Sequence, residues 1–202
     1  MSHTPSKYPN DPQQTQWLVA AQRGERAAFS HLVERYQKPV YNLCFRMLGE
    51  TEPAEDATQE VFLRAFTRLD SYDPTRQFST WLFAIAAHYC LDQLRQRRVS
   101  LVAWDDLPLA DQTNQPEQLL LQAEANRAVR SLLEALPPEH RTVVILKYWH
   151  HLSYEEIAHS LETSVSAVKS RLFRARKLIA GHGTPRAPQP PVYSNRLMPA
   201  AF

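Results

Sequence analysis

A chain of 202 residues, 44% hydrophobic and 22% charged, has the composition of a soluble globular protein and room for two compact units of under about 100 residues each. No stretch approaches the roughly 20 apolar residues of a membrane span, and Met1 to Asn10 is polar, without the apolar core of a signal peptide, so a cytoplasmic location with no stable membrane insertion is expected. The net charge of +2 is too small to diagnose nucleic-acid binding, and the distribution of charge along the chain carries the information instead.

Residues 1–14 are expected to be disordered. From Thr15 to Arg98 the apolar residues recur at three and four positions rather than two, which predicts helices, with breaks near Gly49 to Pro53 and Tyr72 to Arg76. The chain holds only four glycines, and the fold class predicted is all-α, two small helical domains on a flexible linker. Cys44 and Cys90 fall in apolar helical patterns, outside any C-x-x-C pair or close cluster with histidine. They are read as small buried hydrophobes, and no metal or other cofactor is expected.

In the segment Pro53 to Phe66, Ala57, Val61 and Phe62 are predicted to face inward, with Asp56, Gln59 and Glu60 on another surface. An acidic and polar patch near a basic helix suits a protein partner, although an ordinary solvated helix face has the same composition. The next helix, Phe78 to Arg98, begins aromatic and ends basic with Arg95, Arg97 and Arg98. Its Leu82, Ile85, Ala86, Tyr89 and Leu94 are spaced to pack inward. Aromatics interleaved with cations can stack unpaired bases while holding the backbone. Trp81 and Phe83 taken singly are equally well explained as core.

Residues 99–122 read as a linker: Pro108 and Pro116 interrupt it, and from Val99 to Asn126 the acids Asp105, Asp106, Asp111, Glu117 and Glu124 occur without a lysine or arginine. A second helical unit is expected over 123–180. Within it Ser153 and Glu156 have capping-box spacing, Ile157, Ala158 and Leu161 form a buried stripe, and Val165, Val168 and Leu172 form a facing one. Two such helices make a helix-turn-helix. Ser166, Lys169, Ser170, Phe173 and Arg174 are left outward, as on a recognition helix laid into the major groove. Many such units place glycine at the turn, where this chain has Glu162, so a longer or differently closed turn is expected.

From Ser164 to Ala180 there are five cations, Lys169, Arg171, Arg174, Arg176 and Lys177, and no acid. Solvated helices usually interleave signs, whereas a helix of one sign repels itself until a polyanion neutralises it. Residues 181–202, with five prolines, read as a disordered tail whose Val192, Tyr193, Leu197, Met198 and Phe202 could dock on a regulator. His150, His151 and His159 lie near Glu155 and Glu156, a set that could suggest a metal-dependent nucleic-acid enzyme, but H-E-x-x-H is not formed and surface or interhelical histidines are the better reading. Another alternative is a conventional regulator using the helix-turn-helix alone. A third is an adaptor that no longer melts DNA, which the aromatic segment disfavours.

Gly24 to Tyr36, Glu55 to Phe62, Phe78 to Ala86 with Asp92 and Arg95, Leu136-Pro-Pro-Glu-His-Arg141, and Leu152 to Ile179 follow one another in an order that resembles the sigma-70 family, specifically its extracytoplasmic-function group. The resemblance implies a non-enzymatic initiation factor with a sigma2-like bundle over 15–98 and a sigma4-like helix-turn-helix domain over 123–180. It implies core RNA polymerase as partner through its two largest subunits, promoter DNA both duplex and single-stranded, and an anti-sigma protein able to hold the factor at the inner membrane face. By position, Asp56, Gln59 and Glu60 would meet the polymerase clamp. Phe78, Trp81, His88, Asp92, Arg95 and Arg98 would read and melt the −10 element, His88 standing where the family often has asparagine. Ser166, Lys169, Ser170, Arg171, Phe173, Arg174, Arg176 and Lys177 would meet the −35 element, and the acidic linker would thread toward the RNA path.

Overall fold

The computed structural model describes residues 11–103 and 127–183, with side chains over 11–97 and 127–181. The acidic stretch Asp105 to Glu124, the tail beyond 183 and the side chain of Arg98 lie outside the described residues. Among the described residues all regular structure is helical.

Helix α1 (Pro12–Gln22) begins three residues before the expected start, because Asp11 accepts a 2.7 Å hydrogen bond from the Gln14 N–H and Pro12 supplies a preset φ at the first turn. Gln14 is buried, and its Oε1 accepts from the Tyr36 hydroxyl at 2.7 Å, which ties α1 to α2 (Arg26–Leu48). The break between them, at Gly24 with φ +92°, had no expected counterpart. Helix α2 buries Leu32, Tyr36, Val40, Leu43 and Met47 and stops at Gly49, whose left-handed φ of +84° lets its N–H reach Phe45 O at 2.8 Å. Helix α3 (Thr51–Thr67) buries Ala57, Val61 and Phe62 as expected, and a 3-10 turn, Leu69–Ser71, leads to α4 (Phe78–Ala103). Helix α4 runs five residues past Arg98 into the stretch assigned to the linker.

A helix over 127–134 (α5) precedes α6 (Pro138–Tyr148), α7 (Tyr154–Ser160) and α8 (Val165–Gly183). Ile145, Leu146, Ile157, Val168 and Leu172 make the core of this second unit, each buried side chain contributing about 1.5–3 kcal/mol.

The two units are packed together. Helix α6 lies against α2 and α4, and α7 against α4, so that the buried apolar side chains of both form one connected cluster. Arg141, buried in the first turn of α6, donates to Met47 O at 2.6 Å and to Glu134 O at 2.9 Å. The rings of Phe83 and His150 lie 4.2 Å apart across the same junction.

Candidate nucleic-acid interface

The helix-turn-helix starts from the capping box that the sequence predicts: Glu156 N–H donates to Ser153 Oγ at 3.0 Å, and Ser153 N–H to Glu156 Oε2 at 2.7 Å. The turn runs from Leu161 to Ser164. Glu162 itself takes the left-handed conformation, φ +49°, where glycine is more usual. Ser164 Oγ accepts from the Ala167 N–H at 3.1 Å and starts α8. Ile157, Ala158, Val168 and Leu172 are buried, while Leu161 and Val165 are half-buried at the edge of the small core.

This packing leaves Ser166, Lys169, Ser170, Phe173, Arg174, Arg176 and Lys177 exposed and Arg171 half-buried. Phe173 is 68% exposed, so its ring contributes little to folding and stands out of a cationic surface. Arg176 is held by the Tyr148 hydroxyl at 3.1 Å, the bond that also raises the pKa of its guanidinium. Its orientation is thus fixed from α6.

On α4 the expected face divides. Phe78 is fully buried, its ring edge-on to Tyr36 and Tyr72 at 5.4 and 5.5 Å, so it packs behind the face rather than on it. Phe83 is core as well. Trp81 remains half-exposed, lying 5.4 Å from the Tyr72 ring, and His88 is exposed farther along the helix. Asp92 and Arg95 are exposed and paired at 3.3 Å. Three arginines that the sequence reading did not single out, Arg64, Arg68 and Arg76, line one groove of about 270 Å³ with Trp81 and His88. Their signal was cations bracketing the turn before the aromatic helix.

Asp56 and Gln59 are exposed on α3; Glu60 is half-buried and holds Arg64 at 2.7 Å, which places that guanidinium 4.8 Å from the Tyr89 ring centre. Cys44 and Cys90 are both buried free thiols, as expected. A hydrogen bond to Cys44 and burial push the Cys90 pKa up, which keeps it a thiol. His150 is buried against Phe83, while His151 and His159 are exposed, so the three histidines do not converge. Among the described residues no group of three or more His, Cys, Asp or Glu side chains could hold a metal, and no helix is long and apolar enough to cross a membrane.

Residues 32–99 match the family model for sigma-70 region 2, and residues 126–179 that for sigma-70 region 4. The chain is 34% identical over 172 residues to the ECF RNA polymerase sigma factor SigW of Bacillus subtilis, covering 80% of this chain and 92% of that protein. It is 34% identical over 168 residues to the ECF RNA polymerase sigma-E factor of Escherichia coli K12, covering 78% and 87%. Among solved structures it is similar to CnrH in complex with the cytosolic domain of CnrY, with a TM-score of 0.63 and 28% identity over 84% of this chain and 96% of that one. Sigma factors are transcription initiation factors and not enzymes. With both regions matched in order and most of each relative spanned, the chain belongs to the extracytoplasmic-function group of the sigma-70 family of RNA polymerase sigma factors.

Proposed function

We propose that this chain binds core RNA polymerase, directs it to promoters by reading −35 and −10 elements, and stabilises the melted strand. The single observation that carries the reading is the juxtaposition of two different nucleic-acid surfaces in one chain. Helix α8 offers a cationic duplex-reading face with a projecting Phe173, and α4 offers Trp81 and His88 beside a groove lined by Arg64, Arg68 and Arg76. A duplex reader alone has no need of the second.

In this reading the unit over 15–98 holds the clamp through Asp56, Gln59 and Glu60. Trp81, His88, Asp92 and Arg95 meet the −10 strand, with Arg98 following on the same helix. The unit over 123–180 reads −35. Lys169 and Arg174 donate to base edges or phosphates, Ser166 and Ser170 adapt to either, Phe173 meets a thymine methyl, and Arg171, Arg176 and Lys177 neutralise backbone. Opening needs no hydrolysis: extruding a base costs a few kcal/mol, which stacking at roughly 1–3 kcal/mol per base can offset.

An anti-sigma partner belongs to the same proposal, supported by the similarity to CnrH, whose solved structure is a complex with the cytosolic domain of CnrY. Such a partner would keep the factor in the cytoplasm, at the inner membrane face until released. The test is reconstituted transcription with purified core polymerase on a library of genomic promoter fragments, with start sites mapped. Initiation that depends on the chain and clusters behind shared −35 and −10 sequences is expected. Tight duplex binding without polymerase, and no initiation with it, would overturn the proposal.

A further inference from the structure

Arg176 is exposed in the C-terminal half of a helix that carries five cations and no acid between Ser164 and Ala180, a setting in which a long side chain ordinarily samples many rotamers. Here it is held. The Nε–H of Arg176 donates to the Tyr148 hydroxyl at 3.1 Å, which joins α8 to the last residue of α6 across 28 positions of sequence, and a weaker hydrogen bond links the same guanidinium to the Tyr154 hydroxyl. Two further cations converge on the place. Lys147 Nζ lies 4.7 Å from the centre of the Tyr154 ring while donating to Leu152 O at 3.1 Å, and Lys169 Nζ lies 5.7 Å from that ring. Cations from α6 and α8 thus surround two tyrosines. Like charges drawn together repel, and the group that relieves them best is an anion with several acceptor oxygens, such as a DNA phosphate.

The kind of acceptor matters. A carboxylate in place of the Tyr148 hydroxyl would orient Arg176 and cancel its charge at the same time. A phenol hydroxyl takes the Nε–H without supplying a countercharge, so the charge and the terminal N–H groups remain for a phosphate. We propose that Tyr148 is a positioning residue for promoter binding: it holds the Arg176 side chain in one orientation before DNA arrives, so that the guanidinium meets a backbone phosphate of the −35 element already ordered. Ordering one long side chain at an interface weakens binding by about threefold to tenfold, and Tyr148 removes that penalty in advance. The proposal rests on the −35 role given to α8 above.

Tyr148→Phe keeps the ring and removes the hydroxyl. The test compares it with Arg176→Ala and with the double variant, each as the full chain assembled with core polymerase, in binding to a panel of singly substituted −35 promoters at several salt concentrations. Tyr148→Phe is expected to weaken every promoter by the same factor, about threefold to tenfold, with thermal stability and salt slope unchanged because the charge is still present. Arg176→Ala is expected to lower the salt slope by about 1, and adding Tyr148→Phe to it is expected to change nothing further. Parental affinity in Tyr148→Phe, or an equal loss when the substitution is made in the Arg176→Ala background, would show that Tyr148 does not act through Arg176 and would overturn the proposal.

Side-chain NMR relaxation of the Arg176 Nε–H in the free chain separates the positioning from the −35 reading. The group is expected to be ordered in the parent and mobile in Tyr148→Phe; equal mobility in the two overturns the positioning without any reference to DNA. If that order is lost in Tyr148→Phe yet Arg176→Ala binds promoters as the parent does, the −35 role of Arg176 is what fails, and the proposed part of Tyr148 in promoter binding falls with it.

Discussion

The guanidinium of Arg141 on α6 donates at 2.6 Å to the main-chain oxygen of Met47, a residue 94 positions earlier at the end of α2. Two more carbonyls of its own unit, Glu134 O at 2.9 Å and Leu136 O at 3.4 Å, share the same cation. Burial pulls its pKa below the ordinary arginine value, yet it stays charged, so the three acceptors are satisfied by one buried cation. Arg141→Ala leaves them without that donor and is expected to cost about 2–4 kcal/mol, with Arg141→Lys recovering only part because a point donor cannot fork. Denaturant midpoints followed by circular dichroism check this; a variant within about 0.5 kcal/mol of the parent would remove Arg141 as a structural tie.

On the recognition helix, exposure separates reading from folding. Phe173→Ala is expected to leave thermal stability unchanged and to reduce discrimination at one −35 position by about 1–3 kcal/mol, whereas Lys177→Ala weakens all promoters alike and lowers the salt slope by about 1. Holoenzyme binding to a panel of singly substituted promoters at several salt concentrations distinguishes the two. Equal losses across the panel for Phe173→Ala would show that its ring makes no base contact.

The polar patch on α3 is tested by charge reversal. Asp56 is exposed, so Asp56→Arg should fold normally while slowing association with core polymerase and flattening its dependence on ionic strength. Surface plasmon resonance on immobilised core at low and moderate salt reads both effects. An unchanged association rate would move the clamp contact elsewhere.

His140 gives a pH dependence with a definite sign. Burial, and then the nearby Arg174, hold its pKa below the ordinary value of 6.5, Glu139 opposes the shift, and Arg171 adds to it. Well above pH 6.5 the residue is neutral in both folded and unfolded chains and contributes no pH dependence. Below that value the unfolded chain takes up the proton first, so stability falls as pH drops until the folded-state pKa is passed. Urea midpoints at about pH 7.5 and about pH 5.5, roughly one unit either side of the ordinary histidine value, are expected to differ less in His140→Gln than in the parent. An identical pH response in the two would exclude His140 as a source.

The amino-acid sequence by itself determined the helical class, the capping box at Ser153 and Glu156, the buried stripes of α7 and α8, the single-sign charge of α8 and the family order of its segments. Each of these is local: spacing of three and four, a cap three residues from its partner, a run of like charges. Tertiary structure alone decided between Phe78 and Trp81, aromatic side chains three residues apart on α4. Phe78 is enclosed by the rings of Tyr36 and Tyr72, while Trp81 stays half-exposed, and nothing in the periodicity of α4 separates them. It also decided that Arg141 is buried, that α1 is pinned through Gln14 and Tyr36, and that Ser160 rests on Thr80. Those contacts join residues between 22 and 94 positions apart, and which distant surfaces meet depends on the shape of the assembled cores rather than on any pattern within a single helix.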